Sequence, residues 1–148
     1  MRRSSACSAA VVTAKAGNLP ATSAGGTLTV YFDGSCPLCA REIAFYRRRC
    51  AGDAARWVDV SRESPAALGA GLTRDQALER FHVRRADGTL CSGADAFTEL
   101  WAEMPGMGWL GRLGRNAIVG RVLQLCYSVF LPLRPFLVRA FPVERRIP

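Results

Sequence analysis

The sequence predicts an α/β domain: a mixed sheet built in the order β-α-β-α-β-β-α, with a C-terminal helical extension after it. Three observations lead there. The β-rich run "TLTVYF" (27–32) feeds directly into a helix-forming stretch, the pattern of a parallel β-α-β unit. The dipeptide Asp87-Gly88 stands between two short β-rich runs, which marks an antiparallel hairpin. The chain has 148 residues, of which 49% are hydrophobic, enough for one domain to bury its own core.

The elements follow in order. Gly26 and Asp33-Gly34 bound the first strand. Residues 36–49 read as a helix with Pro37 in its first turn, where a missing N–H costs nothing. Cys36, Cys39, Ala40 and Ile43 share its inner face at i, i+3, i+4, i+7, and Arg41, Glu42, Arg48 and Arg49 fall outside that stripe. "RWVDV" (56–60) reads as a second strand. Thr73 and Gln76 form a capping box that starts a short helix through Glu79. "RFHVRR" (80–85) and "TLCS" (89–92) make the hairpin. Gly93 opens a helix with Ala96, Phe97, Leu100 and Trp101 on its apolar stripe, ended by Met104-Pro105-Gly106. Residues 107–141 read as one or two amphipathic helices, broken near Pro132 and Pro135.

Three segments result: a flexible tail over 1–26, an α/β domain over 27–105 and a basic amphipathic extension over 106–148 packed on it. The tail is rich in Ala, Ser, Gly and Thr. "MRRSS" and "AKA" resemble parts of a signal peptide, but "ACSAAVVTA" is a feeble hydrophobic region. No membrane span is expected, because Arg121 and Pro132 interrupt the most apolar stretch. The net charge of +8 is carried by the ends: +3 over 1–26, −1 over 27–103 and +6 over 104–148. A nucleic-acid reader would place its basic stripe on the folded face, so no nucleic-acid partner is expected.

Six cysteines are too sparse for a disulfide-built mini-protein of this length. The pattern suits a cytoplasmic protein with one special pair, Cys36 and Cys39, and several buried thiols. Thiols react as thiolates, and an ordinary cysteine titrates at about 8.5. Cys36 stands where a strand enters a helix, among backbone N–H groups without helical partners. It reads as the exposed attacking thiol, and Cys39, one turn on, as the more buried resolving thiol. Two other readings stand beside this one: half a metal site, and a structural pair. A zinc site needs four ligands. The chain offers no second C-x-x-C and one histidine, His82. Cys50 is roughly 21 Å along the helix from Cys36. "YFDGS" also approaches the D-x-D-G-[ST] element of haloacid-dehalogenase phosphatases, but Tyr31 occupies the nucleophile's place.

Residues 33–39, "DGSCPLC", resemble the D-x-x-C-x-x-C element of the DCC family of predicted thiol-disulfide oxidoreductases. The resemblance continues through "WVDVS" (57–61), "RFHV" (80–83), "DG" (87–88), "GADAFTELW" (93–101) and "LRP" (133–135), covering about residues 28–140. It implies a thioredoxin-like fold and thiol-disulfide exchange. The implied partners are a disulfide-containing protein or small-thiol substrate and a thiol electron donor, and no bound cofactor is required. Thioredoxins present a cis-proline to the pair at the start of the third strand. Here Arg80 stands near that place, and the hypothesis is that it faces Cys36 and favours the thiolate.

Asp33 reads first as a turn residue, bonding backbone N–H groups ahead of the helix. Its alternatives are proton acceptor for a thiol and a like charge opposing the thiolate. His82 reads as a satisfied strand residue rather than a base. Ser92, Gly93 and Asp95 occupy a place resembling the one where glutaredoxins hold glutathione, or are a plain helix cap. The C-terminal segment mixes apolar residues with seven arginines. It reads as a packed helical extension, with peripheral membrane contact as its alternative. A non-enzymatic redox-sensing or metal-binding interaction module is the second reading of the whole chain.

Overall fold

A computed structural model describes residues 28–50 and 55–140. The N-terminal tail, residues 51–54 and residues 141–148 lie outside the described residues.

The hydrophobic alternation of the first strand organises the molecule. In β1 (Leu28–Phe32), Leu28, Val30 and Phe32 point to one face of the sheet and Tyr31 to the other, all of them buried. The first face meets α1 (Pro37–Arg49) and α3 (Ala94–Glu103) through Ile43, Tyr46, Ala96 and Leu100. The second meets a 3₁₀ turn (Pro65–Leu68) and α2 (Arg74–Glu79) through Val58, Val60, Leu68, Leu72 and Ala77. The Thr73–Gln76 capping box forms in both directions. The sheet order is β2-β1-β3-β4, where β2 is Ala55–Asp59, β3 His82–Arg85 and β4 Leu90–Ser92. β2 runs parallel to β1, and β3 and β4 run antiparallel to their neighbours. This is the α/β, thioredoxin-like architecture that the element order predicts.

β3 begins two residues later than the sequence pattern, because the Arg80 N–H is still committed to α2 through the Gln76 carbonyl at 3.1 Å. After α3 come α4 (Gly108–Gly114) and α5 (Ala117–Ala140). α4 lies against α3 where Gly111 and Gly114 leave room for Ala102 and Thr98.

α5 corrects one expectation: it runs unbroken through Pro132 and Pro135. By length and composition alone it is also long and apolar enough to cross a membrane. A proline inside a helix removes one hydrogen bond and strains one turn at about 3 kcal/mol, which kinks a helix more readily than it ends one. The turn between the two prolines is tied down from outside by Arg134. Gln124 and Tyr127 tie the helix further up: Gln124 accepts the Ala94 N–H at 3.2 Å and the Tyr127 hydroxyl accepts the Phe81 N–H at 2.9 Å.

Candidate active site

The loop from β1 to α1 is shaped by two aspartates. Asp33 Oδ1 accepts the Ser35 N–H at 2.9 Å and the Ser35 hydroxyl at 2.5 Å, which closes the turn. Asp59, at the end of β2, accepts the Gly34 N–H at 3.0 Å. A Cβ on residue 34 would collide with the Asp59 carboxylate, so only glycine lets the two loops meet. Cys36 is then the N-cap of α1 and Pro37 its first residue. The helix has no acidic residue in its first turn and Arg47, Arg48 and Arg49 in its last, both of which suit its dipole.

The pair is asymmetric. Burial alone would push the Cys36 thiol up, but the Cys39 backbone N–H, the Arg134 guanidinium and the Cys39 thiol together hold it below the ordinary cysteine value. Burial dominates at Cys39 and, with the neighbouring Cys36 and Glu42, pushes it up to about 12. The expectation of an exposed Cys36 is corrected here. Its accessible surface is 8%, less than that of Cys39, and the Arg134 guanidinium of α5 lies against its sulfur at 3.3 Å. Accessible area and charge cost therefore run in opposite directions. The cost follows the depth of protein around each sulfur and the donors that face it, and on that measure Cys39 is the deeper thiol.

Arg134 is the residue that sequence reasoning missed. Its Nε donates to Cys36 Sγ at 3.3 Å and its Nη2 donates to Asp33 Oδ2 at 3.0 Å. One guanidinium thus bridges the candidate nucleophile and the turn aspartate. The available signal was its place between two prolines in "LRP". Arg80 lines the same small cavity as Asp33, Cys39 and Arg134, but the guanidinium on Cys36 is that of Arg134.

Helical spacing places Glu42 outside the inner stripe. It is half-buried instead, one turn beyond Cys39. It accepts from the Tyr46 hydroxyl at 3.0 Å, which itself accepts from Trp101 Nε1 at 3.2 Å. Burial raises its carboxyl above the ordinary value, against the Tyr46 bond. Glu42, Phe97, Tyr127 and Phe130 line both the thiol cavity and a wider groove of roughly 630 Å³ that Phe45, Tyr46 and Trp101 complete.

The remaining candidates sit as structural residues. His82 is buried and its Nδ1 donates to the Arg80 carbonyl at 2.8 Å; burial holds its pKa below the ordinary value. Gly93, at φ 62°, caps α3, and the Gln124 side chain takes up the adjoining Ala94 N–H in the place that resembles a glutathione site. Burial pushes the Asp95 carboxyl up. Among the described residues, no three His, Cys, Asp or Glu side chains gather as a metal site would require. Cys50 is half-buried at the far end of α1, and Cys126 is exposed on α5, not buried as the cysteine pattern suggests.

This chain is 28% identical over 110 residues to an uncharacterized chloroplastic protein of Arabidopsis thaliana, covering 72% of the chain and 50% of that relative. It thus spans half the length of the relative it matches. No solved structure matches it. The pattern of one family, described as DCC1-like thiol-disulfide oxidoreductase, matches residues 30–140, from β1 through the end of α5 and across both thiols and Arg134. The chain belongs to the DCC1-like thiol-disulfide oxidoreductase family.

Proposed function

We propose that the protein exchanges thiols and disulfides through Cys36 and Cys39, acting on a disulfide-containing protein or small disulfide. The observation that carries this is the Arg134 guanidinium on Cys36 Sγ, beside a second thiol held protonated. The Cys36 thiolate attacks one sulfur of the substrate disulfide. That S–S bond breaks, a mixed disulfide forms on Cys36, and the leaving thiolate takes a proton. Cys39 must then lose its own proton before it can attack Cys36 Sγ and release the second substrate thiol. With a pKa of about 12, Cys39 needs a base for this step. Glu42 is that base, one turn away on the same cavity wall and with its proton affinity raised by burial. Asp33 holds Arg134 in place and closes the turn, so it acts through the arginine rather than on the proton. Arg80 adds a second positive charge to the same wall. The product is a Cys36–Cys39 disulfide, and an external dithiol or pair of thiols returns it to the reduced state. A reducing compartment such as the cytoplasm suits a protein that must be recharged by thiols.

The test is equilibration of the purified protein in glutathione buffers with trapping of free thiols. A reversible two-electron couple between about −270 and −120 mV is expected, the range of known exchange catalysts. It should be absent in Cys36→Ser and Cys39→Ser. Glu42→Gln should leave the first attack intact and let the mixed disulfide accumulate. If no Cys36–Cys39 disulfide forms in the unaltered chain, the non-enzymatic reading takes its place.

A further inference from the structure

α5 is two-sided. Its inner side carries Gln124, Tyr127 and Arg134, each bonded to the domain. Its outer side is a stripe of large apolar residues at helical spacing: Ile118, Val122, Leu125, Val129, Leu133 and Phe136. All are at least half exposed, and Ile118 reaches 75%. Such a contiguous apolar stripe, backed by a folded domain, marks an interaction surface. Its charge identifies the partner. Gly108–Ala140 contains no acidic residue, while Arg121 and Arg139 recur on one line along the edge of the stripe and both are exposed. Exposed Arg112 and Trp109 on α4 extend the same basic and apolar character.

We propose that this outer face docks on the surface of an anionic lipid bilayer, with the apolar stripe in the acyl–headgroup boundary and the arginines on lipid phosphates and carboxylates. A second copy of the helix fits less well. It would bring arginine toward arginine with no carboxylate between them, and Pro132 lies in the seam. A crossing helix fits less well too, because it would have to give up the Arg134, Tyr127 and Gln124 bonds that hold α5 on the domain. Lying flat keeps every one of them.

The experiment uses the full chain and extruded vesicles of phosphatidylcholine, with or without phosphatidylserine, followed by sedimentation. The chain should pellet with the phosphatidylserine vesicles and be released by salt. Val122→Glu combined with Val129→Glu should abolish pelleting. Arg121→Gln combined with Arg139→Gln should weaken it about 25-fold, at about fivefold per arginine. All four positions are exposed, so circular dichroism and the Cys36–Cys39 disulfide equilibrium should match the parent, which separates loss of docking from loss of thiol chemistry. No pelleting with phosphatidylserine vesicles would overturn the proposal, as would pelleting that survives the glutamates. So would a stable dimer in sedimentation velocity that the glutamates break apart.

Discussion

Donors at Cys36 and burial at Cys39 push the two thiols in opposite directions. At Cys36 the donors outweigh burial, and Arg134 is the one donor among them that carries full charge. Substituting it leaves the helix N-terminus but removes the cation. The sign follows directly: without the positive charge the thiolate loses stabilisation, the Cys36 pKa rises, and less thiolate is present at neutral pH. In Arg134→Met the iodoacetamide rate profile of Cys36 should move to higher pH. The rate at pH 7 should fall about tenfold for each pH unit by which the profile moves. Cys39→Ser should be the background for both proteins, with the Cys36 adduct read by peptide mapping, because Cys126 is an exposed free thiol as well. A profile that does not move would sink the role given to Arg134. Asp33 acts on the same cation. It bonds Ser35 on one oxygen and Arg134 on the other, so a turn residue also fixes the angle at which the cation meets the sulfur.

Among the elements, the joints between helices depend on small residues and the long helix on contacts made elsewhere. A Cβ on Gly111 would lie 2.6 Å from the Ala102 backbone, which cannot retreat without shifting α3. Gly111→Ala should lower stability by about 1–3 kcal/mol as an overpacked contact, despite alanine's better helix propensity. Urea denaturation reads this, and an unchanged or higher midpoint would show that α4 is free to move. Glu99 strengthens the same region, receiving Arg85 Nε at 3.0 Å from the sheet and Arg115 at 3.7 Å from the end of α4. In α5 local propensity loses. Asn116 caps the start, accepting the Ile118 N–H at 3.0 Å, and the Arg134 contacts hold the segment that two prolines would otherwise weaken.

For the whole molecule, α5 is part of the site and not an appendage to it. Tyr127 satisfies the Phe81 N–H at the entrance to β3, Phe130 lines the groove beside the thiols, and Arg134 completes the charge pattern. A chain ending at Asn116 should therefore lose both stability and the low Cys36 pKa. A lower urea midpoint and a Cys36 alkylation profile close to that of a free thiol would show it. If the shortened chain keeps the parent profile, α5 contributes nothing to the thiol.

The order of strands and helices, the hairpin turn, the capping box and the Cys36–Cys39 pair were all legible in the chain. Each depends on residues within a few positions of one another, where period, turn chemistry and capping act. The family was legible for the same reason, since its main motif is seven consecutive residues, 33–39. Arg134, the buried side of Glu42 and the coverage of Cys36 were not. Arg134 lies 101 positions from Asp33 in the chain, and no local rule couples residues so far apart. Helical spacing about α1 alone puts Glu42 in solvent, but α3 and α5 pack on that side as well. Local sequence therefore determined that Cys36 and Cys39 lie one turn apart and where the helix begins. The tertiary structure alone decided which cation faces Cys36 and that Glu42 is half-buried, because α5 brings Arg134 to the start of α1 and, with α3, covers the Glu42 side of that helix.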